Sequence, residues 1–325
     1  MESVSTYNPW LHRFAKLVVG ATFMLIFIGG LVTSTGSGLA VPDWPTTYGH
    51  FMFSFPLTKM VGGILYEHGH RMVASIVGFL TVILALWLWL KEPRRWVKWF
   101  GLGALMAVVA QGVLGGITVL FLLPTPVSVF HACLAQGFFC MTICLAMFTS
   151  KEWLHAEKTE SIESSRLQNL TLVTTGVVFI QLILGAIMRH TGSGLAIPDF
   201  PLAFGKVIPP IETQQEAIHF LHRVGALLVS VAVIGTAIHI FRTHRQQPKL
   251  VRPAATLVGA LVLQILLAAF TIWTRKAVIP TTTHVAVGAF ILGNSLFLWL
   301  RSQVLFKTIE QKTKSDYLVE QPSLS

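Results

Sequence analysis

Four histidines with matched spacing are the residues of this chain best suited to chemistry: His70, His131, His222 and His284. Each lies in an apolar segment, where an unpaired imidazole costs free energy; a lone membrane histidine is usually a hydrogen-bonded packing residue. Two imidazoles from different helices suit the axial positions of a haem iron. Zinc usually takes a fourth protein ligand or water, and no Cys or Asp recurs nearby in the same pattern. The spacing therefore favours two haem-sized sites over structural histidines.

An arginine directly follows the first histidine of each pair, Arg71 in one case and Arg223 in the other. Neighbours on a helix point about 100° apart, so these arginines do not share the face of the histidine. Their long side chains can still reach porphyrin propionates with bidentate hydrogen bonds. We expect propionate binding; the alternative is an arginine bonded to carbonyls or extended toward the membrane surface. Gln111 and Gln264, also matched, fit interhelical hydrogen bonding.

The two histidine motifs differ three residues before the histidine, where Glu67 in YEHGHR aligns with His219 in IHFLHR. A carboxylate inside a membrane helix is rare and usually functional. This one shares the face of His70 and can accept a proton from substrate or water beside the ring. The alternative is a carboxylate that only orients a ligand or pairs with Arg71. His219 cannot supply an anionic base, so the second site fits a resident haem. His68, also unmatched, is expected to be an accessory polar residue.

The segments that carry these residues are long and apolar. Of the 325 residues 53% are hydrophobic and 12% charged, and the mean hydropathy is +0.67, whereas a soluble domain is about one quarter charged. Apolar runs of about 20 residues can cross a bilayer as helices, and the backbone in lipid must be satisfied internally. We predict an all-α integral membrane protein with eight transmembrane helices, at about residues 17–34, 64–90, 99–121, 128–149, 168–189, 216–241, 254–273 and 282–302.

Basic residues predict the orientation of these helices. They cluster between the second and third helices, between the sixth and seventh, and after the eighth. The positive-inside rule places these clusters and both termini in the cytoplasm of a bacterial cell, with the histidines toward the outer side of the cytoplasmic membrane. The net charge of +10 is thus a topology signal, and we infer no nucleic-acid partner from it. The first run matches the fifth, deep in the chain, so we expect a helix and no cleaved signal peptide.

The chain is an internal repeat. The phrase TGSGLAVPDWP at 35–45 recurs as TGSGLAIPDFP at 191–201. Four helices per copy is an even number, so the copies form a parallel repeat about a pseudo-two-fold axis along the membrane normal. Asp43 and Asp199 are expected to order their loops, because both copies have one. The predicted organisation is a four-helix bundle over 1–150, a cytoplasmic linker over 151–167, a second bundle over 168–302 and a cytoplasmic tail over 303–325.

Taken together, these motifs resemble the haem A synthases, a bacterial family related to the mitochondrial enzymes. The motifs are YEHGHR with Glu67 and His70, FHA with His131, LHR with His222, THV with His284, and the two TGSGLA-x-PD loops. The resemblance covers nearly all eight helices. It implies oxidation of a ring methyl of haem O to a formyl group, by successive hydroxylations and loss of water, to give haem A for terminal oxidases. It further implies substrate haem on His70 and His131 with Glu67 catalytically important, and resident haem b on His222 and His284.

The resemblance also implies partners, namely haem O synthase, cytochrome oxidase assembly factors and an electron donor or acceptor. Many bacterial members carry a cysteine pair in the first external loop. This loop has none, and Cys133, Cys140 and Cys144 all fall in the fourth helix, so no such disulfide can pass electrons here. The competing hypothesis is a non-catalytic dihaem membrane cytochrome that transfers electrons or delivers haem. A carboxylate restricted to one half argues against that cytochrome, since an electron carrier needs no such asymmetry.

Overall fold

The structure is a computed structural model that describes residues 7–154 and 162–319. The remainder includes part of the linker predicted over 151–167 and the end of the tail predicted over 303–325, and those parts lie outside the described residues.

The described chain is all-helical and contains no strand. Eight of its helices are long and apolar enough to cross a membrane, which confirms that prediction. The helices are α1 (Pro9–Ser34), α2 (Gly63–Lys91), α3 (Arg95–Leu120), α4 (Thr125–Phe148), the short α5 (Lys151–Leu154), α6 (Ile162–His190), α7 (Gln214–Thr243), α8 (Pro248–Trp273) and α9 (Val278–Val319).

Several helices extend beyond the apolar runs that predicted them. The first begins at Pro9 because the side chain of Asn8 caps it, accepting hydrogen bonds from the backbone N–H groups of Trp10 and Leu11 at 3.1 Å. Helix α6 begins inside the predicted linker and α9 continues into the predicted tail. The apolar part of α9 ends at Val304. Hydropathy thus located the membrane-crossing part of each helix, whereas capping and polar helical sequence set its ends.

Helix packing follows the order of the chain. Among α1 to α4, each helix contacts the next and α1 also contacts α4; α6 to α9 repeat this pattern. The two sets meet where α1 and α4 contact α9 and where α4 contacts α6. A glycine permits one of these approaches, because a Cβ on Gly30 would lie 3.4 Å from Cγ2 of Thr282. A shared apolar cluster that includes Ile26, Phe139 and Ala289 fills the space between the sets.

Two long loops, 35–62 between α1 and α2 and 191–213 between α6 and α7, lie at the same ends of the helices, which we call the loop end. Asp43 accepts hydrogen bonds from the backbone N–H groups of Tyr48 and Gly49 and from the Thr46 hydroxyl. Burial opposes ionisation of this carboxyl, but the hydrogen bonds outweigh it and lower its pKa to about 2.

Asp199 repeats the arrangement in the second loop, with bonds of 2.8 Å from the backbone N–H groups of Phe204 and Gly205. The Gly205 bond is the main cause of the lowered pKa of Asp199. Both aspartates therefore order their loops, as expected from their presence in both copies.

Candidate haem-binding sites

The four predicted histidines lie at one depth. Each is within about two turns of the loop-end start of its helix, α2, α4, α7 or α9. His70 on α2 and His131 on α4 belong to one set of contacting helices, and His222 on α7 and His284 on α9 belong to the other. The structure therefore places one of the predicted pairs in each set.

Three of the four rings have an unused nitrogen atom. Nδ1 of His70, of His131 and of His284 is buried and has no hydrogen-bond partner, as is also true of Nε2 of His239, outside the two pairs. An unsatisfied buried nitrogen costs about 1–3 kcal/mol, which a ligand at the ring would offset. Over the part of the chain that the structure describes, no group of three or more His, Cys, Asp or Glu side chains can hold a metal ion. Paired imidazoles with unused nitrogens fit the two axial positions of a haem iron.

Glycines allow three of the four rings to pack directly against a neighbouring helix. A Cβ on Gly29 would lie 3.2 Å from Cε1 of His70, and one on Gly185 would lie 3.1 Å from Cε1 of His222. On α3, a Cβ on Gly115 would lie 3.5 Å from Cε1 of His131. Sequence reasoning missed these glycines, although Gly29 and Gly185 recur at the same offset as the TGSGLA loops.

The first loop packs on α3 close to the first histidine pair. The Trp44 ring packs so closely against Gly116 of α3 that an added Cβ would overlap it. Gly116 directly follows Gly115, the glycine that contacts the His131 ring. In the second copy the smaller Phe200 matches Trp44 and the larger Ala269 matches Gly116. At this position the first copy therefore has the larger ring in the loop and no side chain on the helix, whereas the second copy has a smaller ring in the loop and a methyl group on the helix.

Glu67 joins α2 to the first loop. Its side chain is buried, with the residue 3% exposed. Oε1 accepts a hydrogen bond from Nη2 of Arg71 at 2.6 Å, and Oε2 accepts one from the backbone N–H of Val41 at 2.7 Å. The pairing with Arg71 that the sequence offered as an alternative role is therefore present, on the same helix and next to His70.

His219 makes the equivalent contact in the second copy. The backbone N–H of Ile197 donates to its Nδ1 at 3.2 Å, as the N–H of Val41 does to Glu67. Both residues therefore bind a backbone N–H of the loop, and they differ in charge.

His68, predicted to be accessory, is 1% exposed, and its Nδ1 lies 2.9 Å from the Thr47 hydroxyl.

Both predicted propionate-binding arginines contact their own loops. Arg71 donates from Nη1 to the carbonyl of Asp43 at 2.7 Å and from Nη2 to that of Val41 at 2.8 Å. Arg223 donates from Nη2 to the matching carbonyls of Asp199, at 2.6 Å, and Ile197, at 3.3 Å. One nitrogen, Nε of Arg223, is buried without a partner. Carbonyl binding is thus observed for both side chains, and propionate binding stays a prediction.

Glutamines hold the histidine-bearing helices. Nε2 of Gln111 donates to the His131 carbonyl at 2.9 Å, and Nε2 of Gln264 lies 3.4 Å from Nε2 of His284, so both make the interhelical contacts expected of them. Sequence reasoning missed Gln181, whose Nε2 lies 3.1 Å from Nδ1 of His222 and 2.8 Å from its carbonyl. Leu25 occupies the matching position in the first copy, a mismatch that could have drawn attention to it.

Fold and site together define an integral membrane protein with two histidine pairs suited to haem. The pattern of the cytochrome oxidase assembly protein family, COX15-CtaA, matches residues 12–296. The chain belongs to this family. Among its relatives, the haem A synthase of Halalkalibacterium halodurans is 27% identical over 317 residues, 92% of this chain and 96% of the relative. The haem A synthase of Shouchella clausii is 26% identical over 244 residues, 74% of this chain and 79% of the relative.

Proposed function

We propose that this protein is a haem A synthase, an oxidoreductase that converts a ring methyl of haem O to the formyl group of haem A by successive hydroxylations. Membership of the family and the names of the relatives support this activity. The observation that carries it is the pairing of two similar histidine sites with a single buried carboxylate, Glu67, beside only one of them.

The proposed architecture is two parallel four-helix bundles, α1–α4 and α6–α9, related by a pseudo-two-fold axis along the membrane normal. Support comes from the matched helix contacts and from the matched loop contacts of Arg71 and Arg223. The positive-inside rule supports cytoplasmic termini and histidine pairs toward the outer side of a bacterial cytoplasmic membrane.

In the first bundle, His70 and His131 hold the substrate haem O. Glu67 lies one helical turn from His70 and acts as a proton acceptor during the methyl oxidation. Its hydrogen bonds from Arg71 and Val41 fix the carboxylate, so that little reorganisation precedes proton transfer. The loop packs close to the pair through Trp44 and limits access of water from the loop end.

In the second bundle, His222 and His284 hold a resident haem b, which supplies one-electron chemistry when bound. Gln181 fixes the His222 ring, as outer-shell partners of metal-binding histidines commonly do. Arg223 places its unpartnered Nε near the loop, where a propionate is a suitable acceptor. Arg71 has the matching role in the first bundle.

The proposed partners are a haem O synthase, which supplies the substrate, cytochrome oxidase assembly factors, which receive the product, and a separate redox protein or quinone that exchanges electrons. The family description supports a connection with cytochrome oxidase assembly.

Expression in a host that makes haem O but no haem A tests the activity. Pigments are extracted from purified protein and from membranes, with His70→Leu as the matched control. We expect haem A with the wild type alone, and haem b in both proteins. Haem b without haem A in the wild type would overturn the synthase assignment and favour the dihaem cytochrome.

A further inference from the structure

Arg189 lies where the two sets of helices meet, in the last turn of α6 at the loop end. Its Nη2 donates to the carbonyl of Gly30 at 3.1 Å and lies 2.7 Å from the hydroxyl of Ser34, both on α1. The repeat places Thr33 at the matching position of the first copy, so this cation occurs in one half only.

No carboxylate partner accompanies this half-buried guanidinium. Of the ion pairs among the described residues, none includes Arg189. Its two contacts to α1 use only one of the three guanidinium nitrogens. A cation in a membrane helix is costly unless it is paired and usually marks a functional site. The pairing group is therefore an anion that comes with a ligand.

The surroundings of Arg189 identify that ligand. The carbonyl that Arg189 binds belongs to Gly30, where an added Cβ would lie 3.4 Å from Cγ2 of Thr282, two residues before His284 of the second pair. The carbonyl of the adjacent His190 accepts a hydrogen bond from the hydroxyl of Thr125 at 3.3 Å, at the start of the helix that carries His131.

Arg223, the other cation near the second pair, has both Nη atoms bonded to loop carbonyls and only Nε left for a propionate. Arg189 keeps two guanidinium nitrogens outside its contacts to α1, so it is the cation better able to offer parallel donors to a carboxylate.

We propose that Arg189 binds a propionate carboxylate of the haem held by His222 and His284, while the same guanidinium ties that haem to α1 of the other half. The inference rests on the proposed haem site of the second bundle. A planar guanidinium suits a carboxylate because it offers parallel donors in a fixed geometry. Through this bond the resident haem and the substrate half share one side chain.

The test compares Arg189→Gln with Ser34→Ala, which removes one α1 contact and keeps the cation. Two properties of haem b in purified protein are measured, its rate of loss in detergent and its midpoint reduction potential. Loss of a nearby positive charge stabilises the ferric form, so we expect Arg189→Gln to lower the potential. Loss of an outer-shell contact should speed haem loss by about tenfold. Ser34→Ala should leave the potential at the wild-type value.

Wild-type potential and haem retention in Arg189→Gln would overturn the inference and leave Arg189 as a contact between helices. Thermal unfolding of each variant, made with and without haem supply, separates these roles. We expect Arg189→Gln to lower the unfolding temperature more in the haem-loaded protein than in the haem-free protein, where only the contacts to α1 are lost; an equal decrease in both would contradict propionate binding. Should Arg189→Gln not accumulate, Arg189→Lys keeps the charge and should retain the wild-type potential; a lowered potential in Arg189→Lys would count against the proposal. Absence of haem b from the wild type would refute the haem site itself.

Discussion

The two halves of the molecule share their loop attachments and differ beside their histidines. In both, an arginine one residue after a histidine binds the carbonyls of the loop, and a buried side chain four residues before that arginine binds a loop N–H. That buried side chain is Glu67 in the first half and His219 in the second. The loop accepts either group, because its N–H needs only an acceptor. The scaffold therefore allowed the charge at this position to change without loss of the attachment.

Two further departures belong to the second half. Gln181 contacts His222 where the first half has Leu25, and Arg189 reaches α1 where the first half has Thr33. The second half thus adds Gln181, which orients the His222 ring, and Arg189, a cation fixed against α1. Both suit the permanently bound haem proposed for this half. In the first half Nδ1 of both histidines lacks a partner, whereas in the second half only Nδ1 of His284 does, so the first pair is held less firmly, which suits a haem that must enter and leave.

Loss of a histidine should have the largest effect, and the property that is lost should differ between the two halves. We expect His222→Leu to lose haem b completely, because it removes one of the two proposed ligands of the resident haem. His70→Leu should keep haem b and lose haem A formation. Absorption spectra and extracted pigments of the purified variants measure both. Retention of haem b by His222→Leu would refute that ligand assignment.

Gln181→Leu gives the second half the residue type that Leu25 provides in the first half. It should weaken haem b binding by roughly 10- to 100-fold, the usual effect of losing an outer-shell contact. The side-chain amide carries both a donor and an acceptor, so it can serve Nδ1 of His222 in either protonation state. Haem titration monitored by absorbance gives the affinity. Gln168→Leu, on the same helix, is the control and should bind haem b as the wild type does; equal affinity of the two variants would remove the role given to Gln181.

Alanine in place of the glycines that contact the histidine rings should have a smaller effect, and each substitution should affect only the half that contains its histidine. Gly185→Ala places a methyl group 3.1 Å from the His222 ring and should speed haem b loss several-fold, whereas Gly29→Ala, at 3.2 Å from His70, should lower haem A formation instead. Gly20 and Gly176 lie on the same two helices with nothing within 4 Å of an added Cβ. Their alanine variants are matched controls, and a similar loss in these controls would show that the effect is not local to the rings.

Protonation of Asp43 should loosen the first loop in acid, the smallest effect in this series. Because its pKa falls from 3.8 to about 2 on folding, the stabilisation is present above the unfolded value and is lost as pH falls through about 2. Hydrogen exchange of residues 44–50 at pH 5 and pH 3, compared with Asp43→Asn at the same pH values, measures this. We expect the two proteins to differ more at pH 5 than at pH 3; a constant difference would contradict the ionised role.

Much of this architecture could be predicted from the sequence, because long apolar runs admit only helices in lipid and a repeat shows which positions correspond. The histidine pairs and Asp43 followed from that correspondence. Gln181 and Arg189 did not, since a single copy of a polar residue looks like any interhelical contact until the structure places it against His222 or α1. Carbonyl binding by Arg71 was one of the two roles considered, but the particular loop carbonyls could not be foreseen, because they depend on how residues 41–46 fold back onto α2.

The central claim is that one duplicated scaffold has one reactive half, and Glu67→Gln tests it most directly. This change keeps a side chain that can accept the hydrogen bond of Val41 and removes the anionic proton acceptor. The measurement is the ratio of haem A to haem O extracted from the variant in a host that makes haem O. We predict a decrease in haem A formation of at least about 100-fold, with haem b retained at His222 and His284. Haem A at the wild-type level would contradict the account.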